Sequence, residues 1–287
     1  MTAARPATVE DLWAMHRVTQ VTASPDGRHV AFVVTTFDLE RNAGDADLWV
    51  ADLEGARPAL RLTSGFGSDT APFWRPDSRA VGFVRSREDQ PAQLYFVELA
   101  GGEPQPLLDT PVGVTKARWT SGGRRIVFEA ATWPDLDDRF TDVKKRLESQ
   151  KTDRTQARIS ESRLLRYWDR YLTDGRVPHL FEADLGTGRI RDLMPGFDRV
   201  TGFEGFEWDL SADGGEVAFA ANSTAAPYRE LNFDLYALEL STRRIVNLTP
   251  DRPGHDTRPV YAPAGRDLLF TTTLRAGVGS DLDALAR

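Results

Sequence analysis

With 43 acidic against 36 basic residues, the 287-residue chain carries a formal charge of −7, the wrong sign for a dedicated nucleic-acid binder, whose footprint is basic. The absence of cysteine excludes disulfides, thiolate metal ligands and cysteine nucleophiles together. No apolar run nears the roughly 20 residues of a spanning helix, and no basic stretch followed by an apolar core opens the chain, so neither membrane nor secretory signal is read and a cytoplasmic location is expected.

Residues 1–17 form an N-terminal helical segment. Thr8 stands three residues before Asp11 in a capping-box arrangement, and Leu12, Trp13 and Met15 supply an apolar side. From residue 18 onward a phrase recurs five times: an aromatic approach, a tight turn, then a β-branched and aromatic run. The turns are Ser24-Pro25-Asp26-Gly27, Arg75-Pro76-Asp77-Ser78, Thr120-Ser121-Gly122-Gly123, Ser211-Ala212-Asp213-Gly214 and Ala262-Pro263-Ala264-Gly265. Turn starts are 51, 45, 91 and 51 residues apart, and a four-stranded propeller blade takes about 40–50 residues. The expectation is therefore an all-β protein, a β-propeller of four-stranded blades with a helical insertion in the third.

Within each unit the first strand carries an aromatic just ahead of the turn (Trp74, Trp119, Trp208, Tyr261), placed to pack between adjacent blades. The second is the apolar run after the turn. The third recurs as Asp47-Leu48-Trp49, Gln93-Leu94-Tyr95, His179-Leu180-Phe181 and Asp234-Leu235-Tyr236, alternating with period two. A short, polar-edged fourth strand ends near Leu62-Thr63, Leu107-Leu108, Leu193-Met194 and Leu248-Thr249. These give blades over about 18–63, 67–110, 113–196, 203–250 and a partial fifth over 254–287. The insertion, 134–170, holds ten basic and eight acidic residues, with Phe140, Val143 and Leu147 at helical spacing. One or two amphipathic helices projecting from the rim are expected there, ending at Leu164 to Tyr171. In the fifth unit Ser280 to Leu285 takes the place of a third strand and no fourth follows, so the ring is read as incomplete and the chain as a piece of a longer protein.

Asp11-Leu12-Trp13 with Arg17-Val18, the first turn with Val30-Ala31-Phe32, and Arg166-Tyr167-Trp168-Asp169 followed by Asp174-Gly175 and His179-Leu180-Phe181 resemble bacterial prolyl-oligopeptidase-family serine peptidases, on the acylaminoacyl-peptidase and dipeptidyl-peptidase side. Tyr167 stands where that family usually has His. The resemblance implies a seven- or eight-bladed propeller ahead of an α/β-hydrolase domain that holds the catalytic Ser, Asp and His, and short peptides as substrates. This chain would be the propeller portion, filtering or positioning substrate. The alternative is a TolB-like propeller scaffold for protein–protein interaction, closed as a small ring with the N-terminal segment supplying a strand.

No catalytic residue is assigned. A nucleophile elbow needs Gly-x-Ser-x-Gly, and Gly65-Phe66-Gly67-Ser68 and Gly277-Val278-Gly279-Ser280 place glycines on one side only; both read as loop turns. His16, His29, His179 and His255 fall in different repeats or at strand edges, and Asp256 beside His255 reads as a turn cap, like Asp69 in the second repeat. No metal or other cofactor is expected: Asp135, Asp137 and Asp138 read as charges solvating a helix start. In dipeptidyl-type relatives a propeller carboxylate holds a peptide's free amine, because a cationic terminus in a partly dry cavity needs a partner. Glu204, Glu207 and Asp169, the last beside Trp168, are the substrate-binding candidates. Oligomeric state is left open.

Overall fold

The computed structural model describes residues 5–287 except 56, 137–139, 156–165, 168–169, 172–174, 203–204, 226–230, 264 and 276–281. The chain forms two compact units, Met1–Trp119 and Thr120–Arg287.

The first unit opens with α1 (Val9–Ala14), then β1 (Arg17–Ala23), β2 (His29–Asp38), β3 (Ala43–Asp52) and β4 (Leu60–Arg61) as one antiparallel sheet. A second antiparallel sheet of β5 (Ser68–Trp74), β6 (Ala80–Ser86), β7 (Gln93–Glu98) and β8 (Gln105–Leu108) is joined to the first by a single parallel bridge of β3 to β5 at Ala46 and Ser68, and β9 (Val114–Trp119) ends the unit. The Asp11 carboxylate accepts the Thr8 N–H at 2.8 Å, as the capping box requires. The apolar side of α1 departs from expectation, since Leu12 and Met15 are exposed. Only Trp13 docks, edge-on against Phe37 at 5.6 Å; a helix of 6 residues turns too little of its surface toward one sheet to bury all three.

In the second unit β10 (Arg125–Thr132), β13 (Val177–Asp184) and β14 (Ile190–Asp192) pair antiparallel, with the insertion between β10 and β13. The insertion holds α2 (Phe140–Thr152) and a hairpin of β11 (Arg166–Tyr167) and β12 (Arg170–Tyr171), so its end is strand where helix was expected. Next come a sheet of β15 (Trp208–Leu210), β16 (Glu216–Asn222), β17 (Phe233–Glu239) and β18 (Arg244–Asn247), and one of β19 (Asp256–Tyr261), β20 (Leu268–Thr272) and β21 (Ala284–Ala286).

The repeated turns share one geometry. The N–H groups of Gly27, Ser78, Gly123 and Gly214 donate to the carbonyls of Ser24, Arg75, Thr120 and Ser211 at 2.8–2.9 Å. Their φ values, +70°, +60°, +67° and +71°, explain the glycines, because L side chains are strained there. Ser78 is the exception, and its Oγ accepts the Asp26 N–H of the preceding turn at 3.1 Å.

Within each unit the aromatics ahead of the turns pack onto the preceding strands, as the sequence predicts. The Trp74 indole donates to the Thr22 carbonyl at 3.0 Å, Trp208 to Glu129 Oε2 at 3.2 Å, and the Tyr261 hydroxyl to Glu216 Oε1 at 2.8 Å. Trp119 lies against Phe73 with ring centroids 4.7 Å apart. Around Trp74 gather Ala31, Leu48, Val81 and Phe83, and around Trp208 gather Val127, Leu180, Val217 and Phe219; this buried apolar surface holds the repeats together.

Asp213 joins neighbouring turns electrostatically. The Ser211 hydroxyl, the Gly215 N–H and Arg266 hold its carboxyl down at about 2, from an ordinary 3.8. A depressed carboxylate stabilises fully above its ordinary value and loses that contribution as pH falls through the folded one. Asp213→Asn is therefore expected to flatten the fall of Tm between pH 3.8 and about 2. The side chain is more than half exposed, so the cost at neutral pH is under about 1 kcal/mol.

Candidate functional site

The insertion is anchored rather than free of the sheet, which corrects the expectation of a projecting element. Phe140 meets Phe181 of β13 at 4.8 Å, Phe181 stacks on Phe128 of β10 at 5.5 Å, and Val143 is fully buried. The Arg146 guanidinium lies 4.6 Å from the Trp133 ring and pairs with Asp135 at 3.0 Å, while Arg176 stands over the same ring at 5.8 Å. Asp135 is thus an ion-pair partner of α2. Asp137 and Asp138 lie outside the described residues, and among the described residues no group of His, Cys, Asp or Glu is arranged to hold a metal.

Of the four substrate-binding candidates, Trp168, Asp169 and Glu204 lie outside the described residues. Glu207 precedes β15, is half-exposed, and is engaged: its Oε2 accepts the Arg258 N–H at 2.9 Å and its Oε1 stands 3.7 Å from the same residue's guanidinium. Arg258 has φ +52° at a bulge in β19, and the arrangement recurs where Ala71, φ +50° at a bulge in β5, donates its N–H to Gln20 Oε1 at 2.7 Å. Gln20, Ala71, Glu207 and Arg258 each stand four residues before a repeated turn, a periodicity in the sequence that marks these links. Glu207 thereby satisfies a bulge N–H that would otherwise have no partner in the ladder.

A histidine–aspartate pair of hydrolase type does occur, but it is closed. His179 on β13 and Asp192 on β14 are both fully buried, with Nδ1 and Oδ2 2.7 Å apart. The other ring nitrogen, Nε2, lies 2.7 Å from the Phe197 carbonyl. A carbonyl only accepts, so Nε2 carries a proton and donates it, leaving no lone pair to activate a hydroxyl. Asp192 Oδ1 also accepts the Met194 N–H at 2.8 Å. The pair ties β13 to β14 and to the loop at Phe197.

The other site signals resolve as structure. Ser68 opens β5 opposite Ser86, in strand geometry rather than on an elbow, and Ser280 lies outside the described residues. Asp256 is fully buried and paired with Arg252 at 3.0 Å, not capping a turn. Asp69 is likewise buried, held by Arg85 at 2.8 Å and Arg87 at 3.1 Å. Buried carboxylates need such partners, which periodicity alone does not reveal. A cleft of about 400 Å³ is lined by Arg125, Glu182, Asp184, Thr187, Arg189 and Arg191; within it Glu182 is already bound by Arg125 at 3.0 Å and Arg191 at 2.8 Å.

Repeated antiparallel sheets, interlocked by first-strand aromatics and carrying a docked insertion in the third repeat, define a propeller-type all-β protein that resembles the propeller portion of prolyl-oligopeptidase-family peptidases. The chain is similar to dipeptidyl-peptidase 5 of Porphyromonas gingivalis, 26% identical across 97% of this chain and 40% of the relative. It is also similar to the uncharacterized peptidase YuxL of Bacillus subtilis, 28% identical across 80% of this chain and 33% of the relative. The chain spans about two fifths or less of the length of these relatives. Among solved structures, the acylaminoacyl peptidase of Pyrococcus horikoshii superposes with a TM-score of 0.64 at 13% identity, covering 94% of this chain and 38% of its own. TolB from Acinetobacter baumannii gives 0.54 at 17%, covering 90% and 52%. At these identities the structures speak for the fold alone. No family model matches the chain.

Proposed function

We propose that this chain is the non-catalytic propeller portion of a serine peptidase acting on short peptides, gating or positioning substrate for an α/β-hydrolase domain on further polypeptide. The observation that carries this reading is the similarity to dipeptidyl-peptidase 5, which runs through 97% of the chain yet through only 40% of the relative. The sheets are read as successive blades, four of them complete and the fifth three-stranded. The insertion adds to the reading, since a helix fixed to the third repeat by Phe140 and Arg146 is a rigid element able to restrict access to a neighbouring chamber.

The 287-residue chain is expected to leave aminoacyl and dipeptidyl chromogenic substrates unhydrolysed, whereas the polypeptide extended to the length of the relatives cleaves them. Hydrolysis by the short chain would overturn the proposal, as would inactivity of an extended, folded protein. In that last case recovery of a stable protein partner favours the TolB-like scaffold.

A further inference from the structure

The five repeats can be compared position by position. The seventh residue after each turn start is Ala31, Gly82, Val127, Ala218 or Leu269. The first four are buried, whereas Leu269 is 40% exposed. The third strands align in the same way. Leu48 pairs across from Val33, Leu94 from Val84, Leu180 from Glu129, Leu235 from Ala220 and Leu285 from Thr271, each partner lying nine residues after its turn start. Leu48, Leu94, Leu180 and Leu235 are at most 1% exposed, but Leu285 is 75% exposed. Val260, directly opposite Leu269 in register, is 53% exposed. One apolar stripe therefore crosses β19, β20 and β21.

What covers this stripe elsewhere is visible in the earlier repeats. Leu48 lies in one cluster with Trp74, and Leu180 with Trp208, each the first-strand aromatic of the following sheet. Leu235 packs with Phe270 of the next sheet. Two counterparts of Val260 turn their side chains toward the following first strand: Phe73 packs on Trp119, and Asp209 Oδ2 accepts the Tyr261 N–H at 3.0 Å. The opposite face of the fifth sheet is already occupied, with Phe270 and Ala286 against the fourth.

We infer that Val260, Leu269 and Leu285 form the seat of a further sheet of the same repeat, supplied by polypeptide following Arg287, whose first strand places an aromatic ring over Leu269 and Leu285. The inference rests on the reading of the chain as part of a longer peptidase, and it names the surface that joins this part to the next. Burying three such side chains is the same apolar gain that fastens the earlier sheets.

The test is Leu269→Gln with Leu285→Gln, made in the 287-residue chain and in the extended protein. In the short chain the pair leaves Tm unchanged and improves solubility, because both side chains are already in water. In the extended protein it lowers Tm by several degrees and raises protease sensitivity. An unchanged Tm in the extended protein, a stop codon directly after Arg287, or a dimer of the short chain dispersed by the same substitutions would each overturn the inference. Peptidase activity is read separately: an active extended protein indifferent to the substitutions sinks the docking surface and leaves the proposed function standing. An inactive protein destabilised by them does the reverse.

Discussion

His179→Ala is expected to cost the second unit about 3–5 kcal/mol, the sum of the cavity left by a buried ring and of two buried polar partners left without their hydrogen bonds. For a unit of this size that is a fall in Tm of roughly 10 °C. The cause is local. Asp192 is fully buried and meets His179 Nδ1 at 2.7 Å; without the ring, its side chain keeps the Met194 N–H but loses its other hydrogen-bond partner. The Phe197 carbonyl loses its donor at the same moment. Asp192→Ala is expected to cost a similar amount, and the double variant clearly less than the two together, because the penalty of each single change is the partner left behind. Chemical denaturation of the four proteins measures this. Strict additivity would show that the pair is not a unit.

That pair also marks how far the sequence could be read. The repeat, its turns and its interlocking aromatics are spelled out locally: glycine at most turn positions where φ is positive, an aromatic one to three residues before four of the turns, leucine at one register of every third strand. His179-Leu180-Phe181 was legible as a third strand for that reason. Its partnership with Asp192 was not, because a histidine's role depends on which acceptors the fold brings to its two nitrogens, here one from β14 and one from the Phe197 loop. Glu207 shows the same limit. The family resemblance offers it as a carboxylate for a peptide amine, but the bulge of β19 presents the Arg258 N–H to it. The shortness of α1 left Leu12 and Met15 in water, an outcome that depends on how much sheet lies beneath the helix rather than on its own apolar pattern.

Gly82→Ala is expected to destabilise the first unit by about 2 kcal/mol, the usual cost of an extra methyl in a packed core. A Cβ built on Gly82 falls 2.4 Å from Phe73 Cζ and 2.7 Å from Trp119 Cζ3, and Phe73 is itself buried. Other sheets hold a side chain at this place, so the restriction is not one of backbone. It is an exchange of volume between cross-strand neighbours. Thr22 stands opposite Ala31, Asp209 opposite Ala218 and Val260 opposite Leu269, whereas Phe73 stands opposite Gly82. The second sheet concentrates in one ring what the others divide between two side chains. Phe73→Thr alone should therefore open a cavity beside Trp119 and cost about 3–4 kcal/mol. In that background Gly82→Ala restores the Thr–Ala pairing of the first sheet and is expected to be stabilising, the reverse of its effect in the natural protein. Urea denaturation of the two single variants and the double variant reads the sign directly. An equal cost for Gly82→Ala with and without Phe73 would mean that the ring does not set the space at this position, and that the glycine answers to some feature of the strand itself.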